Sequence, residues 1–429
     1  MNKVLIITYY WPTSGGAGVQ RWLRFSKYLP QFGWEPVILT INPAYATYPA
    51  LDSSLQREVS DSIEVHMTKA IDWFRFYNRK KSDIPTAGFA KTNDNTIKEK
   101  LSRFIRGNFF IPDPRRGWNK FAFKKACELI ESSGIKYIIS TSPPHSTQLI
   151  GLKLKKKYPE IKWIADLRDP WTDIYYYKQF YPTPIARKID AALEKKVLKT
   201  ADRIISVGKS LKSHFTEKIP GIENKIEVIT NGFDENDFAG LSDTVTGIFT
   251  ISYIGTLSDS YPISGFLDAL LEFDQKGNNF NLKFIGTVSS KQKDLILSKI
   301  QKSLIEFIPY SDHKKAIKYM SDSDLLLLII PDHQSNKSII TGKLFEYIAS
   351  KKAVICLGPE GGDAGDILTS CNAGKSFYYT DKPGIISYLE ECLKKRESGV
   401  NNLTQDDLVQ SYSGKSLTAK LVQVIQQIK

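Results

Sequence analysis

The stretch "SIITGKLFEYIASKKAVICLG", residues 338–358, decides the fold because it leads from a helix directly into a buried strand. A helix is expected from about Thr341, and "AVICLG" is a short apolar run typical of a strand covered on both faces. Lys343 and Glu346 are three residues apart, which places them on one face of that helix among bulky apolar side chains. A pair of charges in such surroundings indicates a binding site; an intrahelical pair on a solvated surface is the alternative.

Strand-length apolar runs alternate with helical patterns along the whole chain. The first half contains "KVLIITYY", "EPVILTI", "YIISTS", "KWIADL", "RIISVG" and "IEVIT", and the second half restarts with "FTISYIGTL", "FNLKFIG", "LLLLII" and "KAVICLG". This alternation predicts βαβ units and parallel sheets. We therefore expect an α/β protein with two Rossmann-like domains, residues 1–240 and 241–411, whose sheets face each other across a cleft. Residues 235–247 are predicted to be the linker, and residues 412–429 a closing helix.

Size and composition indicate a globular chain with two cores. The 429 residues are 41% hydrophobic and 12% aromatic, and one domain commonly takes roughly 100–200 residues. No apolar run approaches the roughly 20 residues of a membrane span, and the N-terminus has the pattern of a first strand, so we expect a cytoplasmic protein. The cysteines show neither zinc-ligand nor disulfide spacing and are predicted to be free thiols: Cys127, Cys356, Cys371 and Cys392.

The net charge of +13 lies entirely in the first half of the chain. Residues 1–240 contain 38 Lys and Arg against 25 Asp and Glu, and residues 241–429 contain 21 of each. This asymmetry predicts an anionic partner. Residues 70–125 interleave aromatic with basic side chains, which is typical of peripheral contact with anionic lipid. Single-stranded nucleic acid and a solvated basic face are the alternatives; we expect an anionic membrane surface and no nucleic acid.

A glycine-containing turn follows a predicted strand in each half. Gly15 and Gly16 precede the first helix, and Gly255 and Thr256 follow "ISYI". Glycine lets the backbone approach a ligand closely, and the N-terminus of the next helix favours a phosphate. We predict donor-binding roles for these four residues, with an ordinary strand-to-helix turn as the alternative. The spacing is not that of a dinucleotide fingerprint, so no nicotinamide cofactor is expected.

The start of the helix near Thr341 is the main predicted binding element. The amides of Thr341, Gly342 and Lys343 are expected to lack helical partners and to suit a diphosphate. Lys343 adds a positive charge, and Glu346 is placed to accept hydrogen bonds from ribose hydroxyls. Tyr310, which follows "EFIP", completes the predicted donor-binding set.

Several stretches together resemble one enzyme family. They are "PTSGGAGVQRWLRFSKYLPQFGWEPVILT", "KWIADLRDPWTD", "IEVITNGFD", "YIGTL", "SDSDLLLLII" and "GKLFEYIASKKAVICLG". In this order and over nearly the whole chain they resemble retaining glycosyltransferase family 4, of GT-B fold, especially members that build bacterial surface polysaccharide. The resemblance implies a C-terminal domain that binds a nucleoside-diphosphate sugar, an N-terminal domain that binds the acceptor, and a closing helix that packs back on the N-terminal domain.

The chain departs from the family pattern at two places. Members commonly carry two Glu separated by seven residues; Glu346 matches the second, but Ser338 stands at the first. Many members also have an Arg and a Lys in the loop after "IG", where this chain has "TLSDSYPIS". Neutralisation of a diphosphate is therefore expected from Lys343, helix amides and, as a second cation, Lys337.

Acceptor-side groups are predicted at the carboxyl ends of two N-terminal strands. "ADLRDPW" is expected to place Asp166, Arg168 and Asp169 at the edge of the cleft, and by the resemblance Asp169 contacts the transferred sugar or the acceptor. An ion pair of Arg168 with an Asp, which would hold the loop, is the alternative. His145, in "STSPPHSTQLIG", is a further acceptor-side candidate, with a hydrogen-bonded loop histidine as its alternative.

The resemblance implies a retaining glycosyltransferase that works at the inner face of a bacterial membrane. It would move a sugar from a nucleoside-diphosphate sugar to a lipid-linked or saccharide acceptor, without a metal or other cofactor. Lys343 and Asp169 are the predicted catalytic residues, and Lys343 would stabilise the departing diphosphate. A nucleotide-sugar epimerase of the same fold and a non-catalytic scaffold derived from a transferase are the alternatives.

Overall fold

The computed structural model of the chain describes residues 1–48, 51–52, 54–71, 97–240, 247–399 and 406–428. The chain divides into two compact units: the first unit comprises Met1–Thr230 with Leu417–Lys429, and the second comprises Asn231–Ser416. Each unit is built on one fully parallel sheet. The predicted α/β class with two Rossmann-like domains is therefore confirmed.

The first unit contains a seven-stranded sheet in the order β3-β2-β1-β4-β5-β6-β7. Because β1 pairs with β2 on one side and with β4 on the other, the direction of winding reverses between β1 and β4. The strands are β1 (Asn2–Ile7), β2 (Trp34–Ile41), β3 (Glu64–Thr68), β4 (Tyr137–Ser142), β5 (Lys162–Leu167), β6 (Arg203–Ser206) and β7 (Ile226–Val228).

Helices connect these parallel strands. Proline at the start of the fifth helix and a glycine in the left-handed region after the third mark helix ends that the sequence sets locally. The helices are α1 (Ala17–Tyr28), α2 (Ile97–Phe109), α3 (Asn119–Ser133), α4 (Gln148–Lys157), α5 (Pro184–Thr200) and α6 (Lys209–Lys218).

The second unit repeats this architecture with a six-stranded sheet in the order β10-β9-β8-β11-β12-β13. Its strands are β8 (Phe249–Ile254), β9 (Phe280–Ile285), β10 (Ile305–Ile308), β11 (Leu325–Ile329), β12 (Ala353–Leu357) and β13 (Gly374–Phe377). Its helices are α7 (Ser264–Gln275), α8 (Ser290–Lys299), α9 (His313–Ser321), α10 (Gly342–Ala349), α11 (Asp363–Ser370), α12 (Lys382–Glu397) and α13 (Asp406–Gln410). A last helix, α14 (Gly414–Gln426), ends the chain.

Both sheets are buried on both faces, which explains the continuous apolar runs. In β1, Leu5 and Ile7 belong to one core cluster, whereas Val4 and Ile6 belong to another. Successive side chains of a strand point to opposite faces, so the two clusters lie on the two sides of the sheet. The second of these clusters also takes up Leu417, Leu421 and related residues of α14.

The units divide between Thr230 and Asn231, earlier in the chain than the predicted boundary at residues 240–241. Residues after this point are attached to the second unit, because the amide of Phe233 bonds the Tyr412 carbonyl and His313 bonds the Asp237 carboxylate at 3.0 Å. Residues 241–246 of the predicted linker lie outside the described residues. The closing helix contributes Leu417–Lys429 to the first unit.

Two global expectations concern thiols and membrane spans. All four cysteines are buried free thiols, as predicted. In the part of the chain that the structure describes, no helix has the length and apolarity needed to cross a bilayer.

Candidate functional site: residues at the carboxyl ends of the strands

The order of strands selects one position in the second sheet for a ligand. The winding reverses between β8 and β11, which are hydrogen-bonded neighbours. In open α/β sheets, ligands bind outside the carboxyl ends of the strands at such a reversal. Gly255 follows β8 directly, and α10 is the helix that follows β11. The topology therefore brings together the glycine turn and the helix that the sequence singled out.

Lys343 crosses over Gly255 and takes the space that a side chain would need there. Gly255 has φ +126°, in the region that favours glycine, and a Cβ built on it would collide with the Nζ of Lys343. The ammonium also lies 5.2 Å from the centroid of the Tyr253 ring. Burial lowers the pKa of Lys343 from 10.5 to about 8, although the Glu346 charge acts in the opposite direction. A half-buried cation that forms no hydrogen bond with any described residue is suited to an incoming anion.

The N-terminus of α10 begins as predicted, next to this cation. Thr341 is its N-cap residue, but the Thr341 hydroxyl does not cap the helix. This Oγ1 is buried and has no hydrogen-bond partner among the described residues. Together with the first amides of the helix, it supplies polar groups that a phosphate could engage.

Glu346 is 7% exposed, so the alternative of a solvated surface pair is wrong. α10 is fixed below this carboxylate by Tyr347, whose hydroxyl accepts a hydrogen bond of 3.0 Å from the amide of Ile254. Tyr347 is fully buried and was not predicted as a site residue. This hydrogen bond joins α10 to Ile254, the last residue of β8, and Gly255 is the next residue in the chain.

Other predicted donor residues occupy different surroundings. Thr256 accepts a hydrogen bond on its carbonyl from Tyr253, and Tyr310 is 74% exposed just after β10. Lys337 lies with Gly358 and Gly362 around a surface depression that neither Lys343 nor Glu346 lines. The structure therefore places Lys337 apart from that pair.

In the first unit, Arg168 ties together the loops after three strands. Its guanidinium donates to the carbonyls of Ser142 at 2.9 Å, Gly18 at 3.2 Å and Pro143 at 3.4 Å. Arg168 thus holds its loop through carbonyl oxygens, and no Asp of the described chain pairs with it within salt-bridge distance. Gly18 is the second residue of α1, and the residue that precedes this helix, Gly16, has φ 93°. Gly15 immediately precedes Gly16 in this loop, and both glycines precede α1 as predicted.

His145 is stacked on Trp171, with ring centroids 5.0 Å apart and planes inclined by 14°. Both of its ring nitrogens are buried and find no hydrogen-bond partner within the described part of the chain. The alternative of a hydrogen-bonded loop histidine is therefore wrong. Burial, Arg168 and Lys218 lower the pKa of His145 to about 3, so the ring is neutral at physiological pH.

Asp169 lies close to Tyr176, a residue that sequence reasoning missed. Burial raises the pKa of Asp169, and Arg168 partly offsets this. Burial and then the Asp169 charge raise the pKa of Tyr176. Arg115 is also close to Tyr176. Burial lowers the pKa of Arg115, but nearby groups outweigh this effect and raise the pKa overall; they are Tyr10, Tyr9, Asp113 and Tyr176. Arg115 and Tyr176 come from distant segments, and no local pattern marks them.

Asp166 was predicted at the edge of the cleft, but it is enclosed within the first unit. It is fully buried and pairs with Arg21 at 3.0 Å. It also accepts hydrogen bonds from the Trp22 indole at 2.9 Å and the Thr141 hydroxyl at 2.7 Å. Asp166 lies within β5, where alternate side chains point into the layer of α1, so its role is to anchor that helix.

The remaining predictions concern the basic segment and metals. Residues 72–96 of the proposed membrane-binding segment lie outside the described residues. Among described residues, no group of three or more His, Cys, Asp or Glu side chains is placed to hold a metal ion.

No protein-family model matches the chain, and no curated protein matches it. Solved structures do match over its full length. A glycosyltransferase from Rickettsia africae is 15% identical, with 100% of this chain and 98% of that chain covered and a TM-score of 0.61. HepE from Anabaena, solved in complex with UDP and glucose, is 12% identical, with 100% of both chains covered and a TM-score of 0.61. The lipopolysaccharide outer core galactosyltransferase WaaB, in its apo form, is 10% identical, with 99% of both chains covered and a TM-score of 0.61.

The same fold also occurs with another activity. A putative UDP-N-acetylglucosamine 2-epimerase from Listeria monocytogenes is 12% identical, with 99% of this chain and 95% of that chain covered and a TM-score of 0.55. At these identities the similarity concerns the fold. The chain has the GT-B fold, which its structural neighbours among the glycosyltransferases share.

Proposed function

We propose that the protein is a retaining glycosyltransferase that moves a sugar from a nucleoside-diphosphate sugar to a lipid-linked or saccharide acceptor. The observation that carries the proposal is the position of Lys343, a half-buried ammonium over Gly255 at the start of α10. The carboxyl end of β8 and the N-terminus of this helix together suit the two phosphates of a donor. HepE, which shares the fold, was solved with UDP and glucose.

In the proposed chemistry, positive groups of the protein stabilise the negative charge that develops on the departing diphosphate. Cleavage of the bond between sugar and diphosphate leaves negative charge on the departing phosphate oxygen, and a positioned cation with helix amides stabilises that charge. Lys343 and the amides of Gly342 and Lys343 take this role in the proposal. Glu346 accepts the ribose hydroxyls, and Gly15, Gly16, Thr256 and Tyr310 remain candidates for further donor contacts.

The acceptor is proposed to bind in the first unit near the end of β5. Asp169 is proposed to contact the transferred sugar or the acceptor hydroxyl, with Arg168 and His145 beside it. No hydrogen bond to the Asp169 carboxylate comes from the described residues, and burial raises its pKa. Such a carboxylate is suited to accept a hydroxyl proton from a substrate.

The first test uses donor binding. A thermal-shift screen with UDP, GDP, ADP and the matching sugar nucleotides should show stabilisation by one base. UDP is the first probe because HepE binds it. Failure of every nucleotide to stabilise the protein would favour the scaffold alternative.

Turnover tests the finer parts of the proposal. With an active donor, the anomeric configuration of the first product should equal that of the donor by NMR. Transfer should continue in the presence of EDTA, since the proposal places Lys343 and helix amides where other transferases use a metal. Inversion at the anomeric carbon, or loss of turnover with EDTA that a divalent cation restores, would contradict these two points.

An epimerase is the second candidate, because one solved structure of this fold is a putative UDP-N-acetylglucosamine 2-epimerase. Conversion of the donor into its epimer without any acceptor would establish it. The transferase is preferred because an epimerase needs acid and base groups at the sugar, and the described donor residues offer Glu346 alone as a carboxylate.

We further propose that transfer occurs at the cytoplasmic face of the bacterial membrane and contributes to surface polysaccharide. The charge of +13 in residues 1–240 supports a partner with anionic headgroups. The fold shared with WaaB, a lipopolysaccharide outer core galactosyltransferase, supports this class of acceptor.

A further inference from the structure

One helix of the first unit leaves its apolar side chains uncovered. None of the 13 residues of α2 is buried. Ile97 is 86% exposed, Leu101 56% and Phe104 38%. These positions, i, i+4 and i+7, lie on one face of a helix. We call the three residues the α2 stripe.

The last turn of α2 attaches it to the protein. A Cβ on Gly107 would collide with the backbone of Phe180, so only glycine allows this close approach. The Arg106 guanidinium lies 4.0 Å from the centroid of the Phe180 ring. Asn108 donates to the Tyr181 carbonyl at 3.1 Å and accepts from the Thr183 amide at 2.7 Å. The helix is therefore fixed by glycine, arginine and amide contacts in its last turn, whereas Ile97 and Leu101, nearer its start, are more than half exposed.

The neighbouring start of α5 repeats the pattern. Ile185 is 72% exposed and Ile189 48%, again four residues apart on one helix face. Tyr181, at the junction of the two helices, is 44% exposed. Large exposed apolar groups concentrated on adjacent segments mark an interaction surface, whereas single ones are ordinary.

Cations accompany these apolar groups. Lys98 and Lys100 on α2, and Lys188 on α5, are exposed. Lys98 and Lys100 form no ion pair with any described residue. α2 contains four Lys and Arg against one Glu. A helix with an apolar stripe of Phe, Leu and Ile and with basic flanks is suited to the interface of an anionic bilayer, where the stripe enters the headgroup region and the cations meet lipid phosphates.

We propose that the α2 stripe and the first turn of α5 form the surface by which this protein binds an anionic lipid bilayer. This inference rests on the proposed membrane location, which it assigns to particular residues. Charge complementarity selects anionic lipid as the occupant, because an apolar protein partner has no need of the lysines that flank the stripe.

The experiment is co-sedimentation of the full chain with vesicles of phosphatidylglycerol and phosphatidylcholine, compared with vesicles of phosphatidylcholine alone. The wild type should bind the anionic vesicles. Leu101→Ser with Phe104→Ser should weaken that binding by at least about tenfold, because it removes the inserted apolar groups. Lys98→Glu with Lys100→Glu should also weaken it by at least about tenfold.

Matched variants in the second unit serve as controls. Leu297 is 45% exposed, and Lys302 is exposed; Leu297→Ser and Lys302→Glu should retain wild-type vesicle affinity. Because α2 has no buried residue, its variants should keep the wild-type thermal midpoint and the same stabilisation by UDP. This second readout separates vesicle binding from donor binding.

Three results would overturn the inference. Wild-type affinity of the stripe variant for anionic vesicles would remove α2 from the contact while leaving the membrane location in place. Absence of vesicle binding by the wild type would reject both, whatever the UDP measurement shows. A dimer that the stripe variant converts to a monomer, with vesicle binding unchanged, would assign the surface to a second copy of this chain.

Discussion

Among single residues, the proposed donor-binding role of Lys343 predicts a link between its ionisation and ligand binding. Burial lowers its pKa from 10.5 to about 8. The unfolded chain therefore holds this proton up to a higher pH than the folded protein does, and the free protein should gain stability from this group as pH rises from about 8 to 10.5. Diphosphate binding should weaken over the same rise, because the neutral amine no longer attracts the anion.

Replacement of this lysine tests that link. Lys343→Met should weaken UDP binding at pH 7 by about ten- to a hundredfold, as expected for loss of hydrogen bonds to a charged group. Its remaining affinity should vary little between pH 8 and 10. Calorimetric titration measures both, with Lys302→Met as an exposed control. A variant whose affinity and pH dependence equal those of the wild type would show that the ammonium does not contact the diphosphate.

Replacement of the Asp169 carboxylate should raise the stability of the protein and lower its turnover. Burial raises its pKa, so its ionised form is disfavoured in the folded protein. Asp169→Asn should therefore raise the free energy of unfolding at neutral pH by about 1 kcal/mol and lower transfer by about a hundredfold or more, with UDP affinity unchanged. The exposed Glu160→Gln is the control. Normal transfer by Asp169→Asn would exclude contact of the carboxylate with the reacting groups.

Among the elements, α10 is joined to the end of β8 by a side-chain hydrogen bond. The Tyr347 hydroxyl accepts from the buried amide of Ile254 at 3.0 Å. Tyr347→Phe leaves that donor without a partner, which should cost about 1–3 kcal/mol and weaken UDP binding through a displaced helix. Denaturant unfolding and calorimetry check both quantities. The exposed Tyr378→Phe should change neither.

The packing of α1 depends on a buried ion pair. Arg21 pairs with Asp166 and also donates to the carbonyls of Thr230 at 2.6 Å and Ile229 at 2.9 Å. Asp166→Ala leaves a buried guanidinium without its counter-charge, so we expect a loss of about 3–5 kcal/mol. Urea unfolding measures this. A loss below 1 kcal/mol would contradict the anchoring role, whereas Asp202, partly exposed beside Lys155, should tolerate the same change better.

For the whole molecule, the uneven charge predicts different salt dependence for the two proposed kinds of binding. All of the excess +13 belongs to residues 1–240. Screening at high salt acts on exposed charges more than on buried ones. Vesicle binding should therefore fall steeply with added NaCl, while UDP binding at the half-buried Lys343 should fall much less. Equal salt sensitivity of the two, in co-sedimentation and calorimetry, would contradict this separation.

Much of the fold could be read from patterns that are local in sequence. The run of residues 325–330 and its counterparts identified buried parallel strands, and Thr341 was correctly placed at the start of α10. The boundary between the units could not be predicted as well. Phe233 joins the second unit through a hydrogen bond to Tyr412, which is 179 positions away, and no local sequence pattern indicates such a contact.

Local patterns were enough to predict two parallel-sheet units, the glycine turns and the placement of Lys343 and Glu346 on one helix, since strand and helix periods and turn residues act over a few positions. Three features depend on tertiary contacts: Lys343 crosses Gly255, Asp166 anchors α1 inside the first unit, and His145 stacks on Trp171 without a hydrogen bond to any described residue. Each of these depends on which strand pairs with which, and the direction of a side chain at a strand end is fixed by neighbours that are distant in the chain.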